Sequence, residues 1–119
     1  MLKEKDEQKY FVEYCKLNNI NCVHIPNGVY LGHLSYKAAY INMLKGLGMQ
    51  KGFPDLMVLC KNKKYQMLFI EFKKTKGGVV SKGQKDWIEW LNNNGYCAKV
   101  AKGCTDAVNI LKQYLANEL

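Results

Sequence analysis

The 119-residue sequence contains no arginine, so all 18 of its basic residues are lysines. That excludes chemistry resting on a bidentate guanidinium fork or an arginine finger, while lysine still serves as a point-charge partner for phosphate. Cysteine pairs are lacking as well: the five cysteines form no CxxC, and the spacings of Cys22, His24, Cys97 and Cys104 match no usual zinc module. The cysteines read as reduced, small hydrophobic residues. Long apolar runs are missing too. The longest charge-free stretch, Leu17 to Tyr36, holds four asparagines, two histidines and a proline, which rules out a membrane span. Met1-Leu2-Lys3-Glu4-Lys5-Asp6 leads into no apolar segment, so no signal peptide is expected. The expected setting is the cytoplasm: soluble, intracellular and reducing.

Negative charge is scarce where positive charge is dense. Between Tyr14 and Lys85 twelve lysines face only Asp55 and Glu71. Other acids gather at the N-terminus (Glu4, Asp6, Glu7, Glu13) or late in the chain (Asp86, Glu89, Asp106, Glu118). A basic middle of this kind is a footprint for a polyanion, most often nucleic acid. From charge alone, a solvated lysine surface fits as well. No repeats, linkers or low-complexity segments interrupt the chain. Its 48% hydrophobic and 24% charged composition fits one domain over residues 1–119, with no room for a separate regulatory module.

Periodicity supplies the elements. Residues 3 to 17 read as a helix, with Phe11, Tyr14 and Cys15 at helical spacing and acids early, as the helix dipole favours. Asn21 to Ile25 reads as a short strand stopped by Pro26-Asn27-Gly28. Tyr36 to Leu47 reads as a helix ended by Gly46 and Gly48. Asp55 to Cys60 and Tyr65 to Lys74 read as two strands of a hairpin, with Asn62-Lys63 in the turn. Ser81 to Asn94 is a helix with Trp87, Ile88 and Leu91 on one face, and Gly95 follows as a cap. Tyr96 to Ala101 is a strand. Thr105 to Leu115 is a last helix, N-capped by Thr105, with Ala107, Val108, Leu111, Tyr114 and Leu115 toward the core. The order α-β-α-β-β-α-β-α implies an α/β fold, a central mixed sheet with helices packed on it.

Within this pattern two acids stand out. Glu71 lies inside Met67-Leu68-Phe69-Ile70-Glu71-Phe72, where a carboxylate is costly without a partner or a metal. With a strand period of two, Glu71 and Lys73 share a face, and hairpin pairing would bring Asp55 beside Glu71. Two carboxylates offer hard oxygen ligands to Mg²⁺ or Mn²⁺, and a neighbouring lysine can hold water and offset negative charge on a phosphate in transition. The same spacing also fits a plain salt bridge between Glu71 and Lys73, with Asp55 as a turn residue. Gln84, first in the stripe Gln84, Trp87, Ile88, Leu91, turns an amide toward the same region. Gly46-Leu47-Gly48 lacks the third glycine and the preceding strand of a dinucleotide site, so no nucleotide cofactor is expected. His24 and His33 have no serine or cysteine partner at recognisable spacing and read as structural or surface residues.

Taken together, Gly52-Phe53-Pro54-Asp55, Glu71-Phe72-Lys73 and Gln84-Lys85-Asp86-Trp87 resemble the PD-(D/E)xK nuclease superfamily. More narrowly they resemble its VRR-NUC (virus-type replication-repair nuclease) branch in the small stand-alone phage and viral form, from about Glu4 to Leu111. The resemblance implies a restriction-endonuclease-like core, with Asp55, Glu71 and the Phe72 carbonyl binding Mg²⁺ or Mn²⁺. It implies that Lys73 is the catalytic lysine, that Gln84 is the family glutamine, and that Glu4 is the acid of the first helix near the metal. Pro26-Asn27-Gly28 resembles a turn of the phage-type members, which puts Asn27 near the site. Lys74, Lys76, Lys82 and Lys85 flank these positions and would grip backbone phosphates.

By the same resemblance the activity is a metal-dependent endonuclease acting on branched DNA such as four-way (Holliday) junctions, as a homodimer, encoded by a phage or virus. A DNA-binding module of the same fold with little or no turnover is the alternative, as is a nuclease acting on flaps, linear DNA or RNA.

Overall fold

The computed structural model describes residues 3–26 and 37–119. Its elements follow the expected order: α1 (Glu4–Leu17), β1 (Cys22–His24), α2 (Lys37–Gly46), β2 (Leu56–Val58), β3 (Leu68–Lys73), α3 (Lys82–Asn92), β4 (Cys97–Lys102) and α4 (Cys104–Leu115). The four strands lie side by side in chain order, with β1–β2 and β2–β3 antiparallel and β3–β4 parallel. The parallel step needs a crossover, and α3 provides it. The Pro26-Asn27-Gly28 turn, apart from Pro26, lies outside the described residues.

β3 is the buried centre of the sheet. Its two faces carry different cores, as strand alternation requires. Leu68, Ile70 and Phe72 join Phe11 and Cys15 of α1 and Ala107, Ile110, Leu111 and Tyr114 of α4. Phe69 faces the other way, against Leu91 of α3 and Ala98 of β4. Helices thus cover both faces, and Glu71, on the Phe69 face, is the buried acid of the strand at 3% exposure.

Two local expectations are corrected. α4 begins one residue before Thr105. Its N-cap is Gly103, which has no side chain to cap with, and Thr105 does not cap the helix. Leu115 is exposed, and Ile110 takes its place in the core. The turn at Asn62 is as expected: its carboxamide oxygen accepts from the backbone N–H groups of Lys64 and Tyr65. Gly95, just past the end of α3, adopts the left-handed conformation expected of a helix-terminating glycine.

Candidate metal centre

The register of the hairpin builds the centre. Leu56 pairs with Ile70, so the residue before Leu56 faces the residue after Ile70: Asp55 meets Glu71 at the open end of the strand pair. Asp55 Oδ2 accepts a 2.8 Å hydrogen bond from the Phe72 backbone N–H, which fixes its carboxylate over the end of β3. Pro54, fully buried, sets the extended entry into β2. Gly52 has a different task. Its φ is 89°, and a Cβ there would lie 2.8 Å from the Gly83 carbonyl carbon, so only glycine lets this loop press against the first turn of α3.

That first turn delivers Gln84. Ser81 caps α3, its hydroxyl accepting from the Gln84 N–H at 3.2 Å while the Gln84 side-chain oxygen accepts from the Ser81 N–H at 2.9 Å. With its oxygen occupied in the cap, the Gln84 amide nitrogen is left to donate to Glu71 Oε2 at 3.1 Å. Lys73 Nζ stands 3.8 Å from the same oxygen, its side chain 12% exposed. Glu4, in the first turn of α1, completes an acidic group: one oxygen each from Glu4, Asp55 and Glu71 lie within 4.8 Å of one another.

Burial and mutual repulsion disfavour the ionised form of two of these acids. Burial, then the charge of Asp55 and a hydrogen bond with it, push the Glu71 carboxyl up to about 8 from 4.5, with Glu4 adding to the rise and Lys73 opposing it. Glu4 is also raised, by burial first and by Asp55, against the pull of Lys73 and Lys74. Three hard oxygen donors, one of them buried, converge where a divalent cation would relieve their repulsion, and the donor set suits a hard divalent cation. Among the described residues this is the one such grouping, and Cys22, His24, Cys97 and Cys104 form none.

The cluster forms part of the wall of a cleft of about 780 Å³, lined also by His24, Pro26, Lys51, Phe53, Ser81 and Gly83. His24 and Ser81 were not singled out for the site by sequence. His24 Nδ1 lies 3.0 Å from the Gln8 side-chain nitrogen and 3.1 Å from the Asp55 carbonyl oxygen, so according to its tautomer it either accepts from Gln8 of α1 or donates to the Asp55 backbone. The signal for Ser81 was present, a Ser-x-x-Gln capping box. His24 had none beyond its place on a strand that pairs beside Asp55. Lys74, Lys76 and Lys85 are exposed and none of them lines the cleft, whereas Lys82 is paired with Asp86 at 2.8 Å. Asn27 lies outside the described residues. Trp87 is half-buried against Phe53, and Trp90 is 51% exposed.

No helix among the described residues is long and apolar enough to cross a membrane. No curated protein matches the sequence. A solved structure described as a VRR_NUC domain protein superposes with a TM-score of 0.73 at 29% identity, covering 98% of this chain and 90% of the other. A second, described as a VRR_NUC domain, gives a TM-score of 0.62 at 19% identity, covering 96% and 99%, a likeness of fold. The model of the VRR-NUC domain matches residues 34–105, more than half of the chain, and takes in the Asp55, Glu71, Lys73 and Gln84 positions. The chain therefore belongs to the VRR-NUC family, as a nuclease-type domain with a restriction-endonuclease-like α/β fold.

Proposed function

We propose that this protein is a divalent-metal-dependent endodeoxyribonuclease that hydrolyses DNA phosphodiester bonds, with branched DNA such as four-way junctions as its substrate. The observation that carries the reading is the convergence of Glu4, Asp55 and Glu71 beside Lys73 in one cleft of a VRR-NUC chain. Asp55, Glu71, Glu4 and the Phe72 carbonyl are the groups that would hold Mg²⁺ or Mn²⁺. A cation bound there supplies a Lewis acid that polarises a phosphate oxygen and lowers the pKa of water.

The chain's own groups do the rest. Lys73 points an ammonium toward Glu71 Oε2 at 3.8 Å, too long to spend its donors on that carboxylate alone. Its N–H groups remain for an attacking water and for the charge that grows on the phosphate. Gln84 holds Glu71 in place from α3. Lys74, Lys76, Lys82 and Lys85 are the proposed grip on backbone phosphates, with Lys82 weakened in that role by Asp86. Residues 1–119 act as one unit. One small cleft cuts one strand at a time, so paired cleavage of a junction needs a homodimer.

Incubating the protein with four-way junction, flap, linear duplex and RNA substrates, with Mn²⁺ or with EDTA, tests the reading. Metal-dependent cuts in the junction supports it. It fails if no substrate is cut with metal, or if Asp55→Asn cuts as well as the parent. Cleavage confined to RNA or to linear duplex overturns the substrate, and a monomeric mass in solution overturns the homodimer.

A further inference from the structure

The first turn of a helix frays unless it is tied down, and Glu4 sits in that turn with no side-chain cap: Lys3 is its N-cap residue and makes no capping bond. Yet Glu4 is the part of α1 that reaches Asp55 and Glu71. The next glutamate along the same helix, Glu7, points elsewhere. Its Oε1 accepts from the Cys104 backbone N–H at 3.2 Å, and its Oε2 accepts from the Thr75 hydroxyl at 3.1 Å.

Cys104 is the first residue of α4, whose N-cap Gly103 lacks a side chain. Glu7 thus satisfies one of the free N–H groups in the first turn of α4, the one on its first residue, and sets a negative charge on the positive end of the helix dipole. Gly103 is built for this contact: its φ is 94°, and a Cβ there would lie 2.7 Å from Glu7 Oε2 and 3.0 Å from Thr75 Oγ1. Thr75 in turn lies two residues after Lys73, in the loop that leaves β3. One carboxylate therefore joins α1, the end of α4 and the loop beside the lysine of the site.

We propose that Glu7 is a positioning residue for the metal centre: by capping α4 and holding Thr75, it fixes the first turn of α1 so that Glu4 faces Asp55 and Glu71. This rests on the metal-centre reading above. Gln8 and Phe11 anchor α1 further along, through His24 and against the Phe72 ring at 5.7 Å. Those two keep the helix on the sheet. Glu7 governs the turn that carries Glu4.

The test is a double-mutant cycle read by Mn²⁺ titration calorimetry on the protein without DNA, with thermal melts and hydrogen exchange of residues 4–8 alongside. Glu7→Ala should weaken Mn²⁺ binding about tenfold, the lower end for a residue that orients a metal ligand, and should lower protection in residues 4–8. In a Glu4→Ala background the same change should no longer affect Mn²⁺ affinity, because Glu7 acts through Glu4. Glu7→Gln, which keeps a side-chain acceptor for Cys104, should recover most of the affinity. A lower melting temperature with unchanged Mn²⁺ affinity would make Glu7 a structural cap only and overturn the proposal. So would an equal loss of affinity with and without Glu4. Absence of Mn²⁺ binding by the parent is a different result, which overturns the metal centre itself.

Discussion

The Asp55 carboxylate and the Phe72 backbone N–H are joined by a 2.8 Å hydrogen bond, so a side chain of the candidate metal centre also ends the pairing of β2 with β3. The two roles separate by substitution. Asp55→Asn keeps an oxygen for the Phe72 N–H and should melt close to the parent while losing cleavage by on the order of 1,000-fold, since a Lewis acid contributes several kcal/mol to phosphoryl chemistry. Asp55→Ala should lose the same activity and also about 1–3 kcal/mol of stability, because the Phe72 N–H is left without its partner. Melts and single-turnover cleavage of the two variants check both.

Glu71 predicts how stability responds to pH. Without a cation the folded protein keeps a proton on Glu71 until about pH 8, while the unfolded chain loses it near 4.5. The folded state then binds more protons than the unfolded one, and stability falls as pH rises through this window. The contribution is fully present below 4.5 and lost by about 8. Melting curves in EDTA from pH 5 to 8.5 should slope downward more steeply for the parent than for Glu71→Gln, which has no proton to lose. Mn²⁺ should raise the parent's melting temperature more at pH 8 than at pH 5, because it binds the ionised form. Titrations of Mn²⁺ at pH 7 in buffers of different ionisation enthalpy should show proton release.

Much of this centre was legible in the sequence because it is written locally. The order of the elements followed from periodicity and turn residues. Glu71 announced itself as a charge inside an apolar strand, and hairpin pairing alone was enough to bring Asp55 to it. Long-range complements were not legible. Nothing near Gly103 says that its helix is capped by a carboxylate 96 positions earlier in the chain, and the local sequence points to Thr105 instead. The exposed Leu115 and buried Ile110 differ for a related reason: packing α4 on both α1 and β4 sets which stripe faces inward. His24 reads as an isolated histidine until β1 pairs beside β2 and sets its ring against the Asp55 carbonyl.

Gln84 links a helix cap to the acids, and its variants should show both ends of that link. Gln84→Ala loses half of the capping box and should cost about 1 kcal/mol. Gln84→Glu keeps an oxygen for the Ser81 N–H but sets a second carboxylate where an amide now donates to Glu71 at 3.1 Å. In EDTA at pH 8 that variant should melt below the parent, and the gap should narrow at pH 5, where Glu71 is protonated. Added Mn²⁺ should restore it by more degrees than it adds to the parent.

The lysines make a prediction that depends on their partners. Lys74, Lys76 and Lys85 are exposed, whereas Lys82 shares its charge with Asp86 at 2.8 Å. If these groups grip phosphates, each contact releases counterions and adds roughly 0.9 to the slope of log K against log salt for duplex DNA. Replacing Lys74, Lys76 and Lys85 together by alanine should therefore lower the slope by about 2 to 3 and weaken binding to junction and duplex alike, since phosphate contacts carry no sequence information. Lys82→Ala should change the slope by less than a full contact, because Asp86 already offsets its charge, and Asp86→Ala should raise it. Fluorescence anisotropy of labelled junctions in EDTA, over salt from about 50 to 300 mM, measures each value without cleavage. Slopes unchanged in the triple variant would move the DNA path to other lysines, with Lys51 in the wall of the cleft the first to replace.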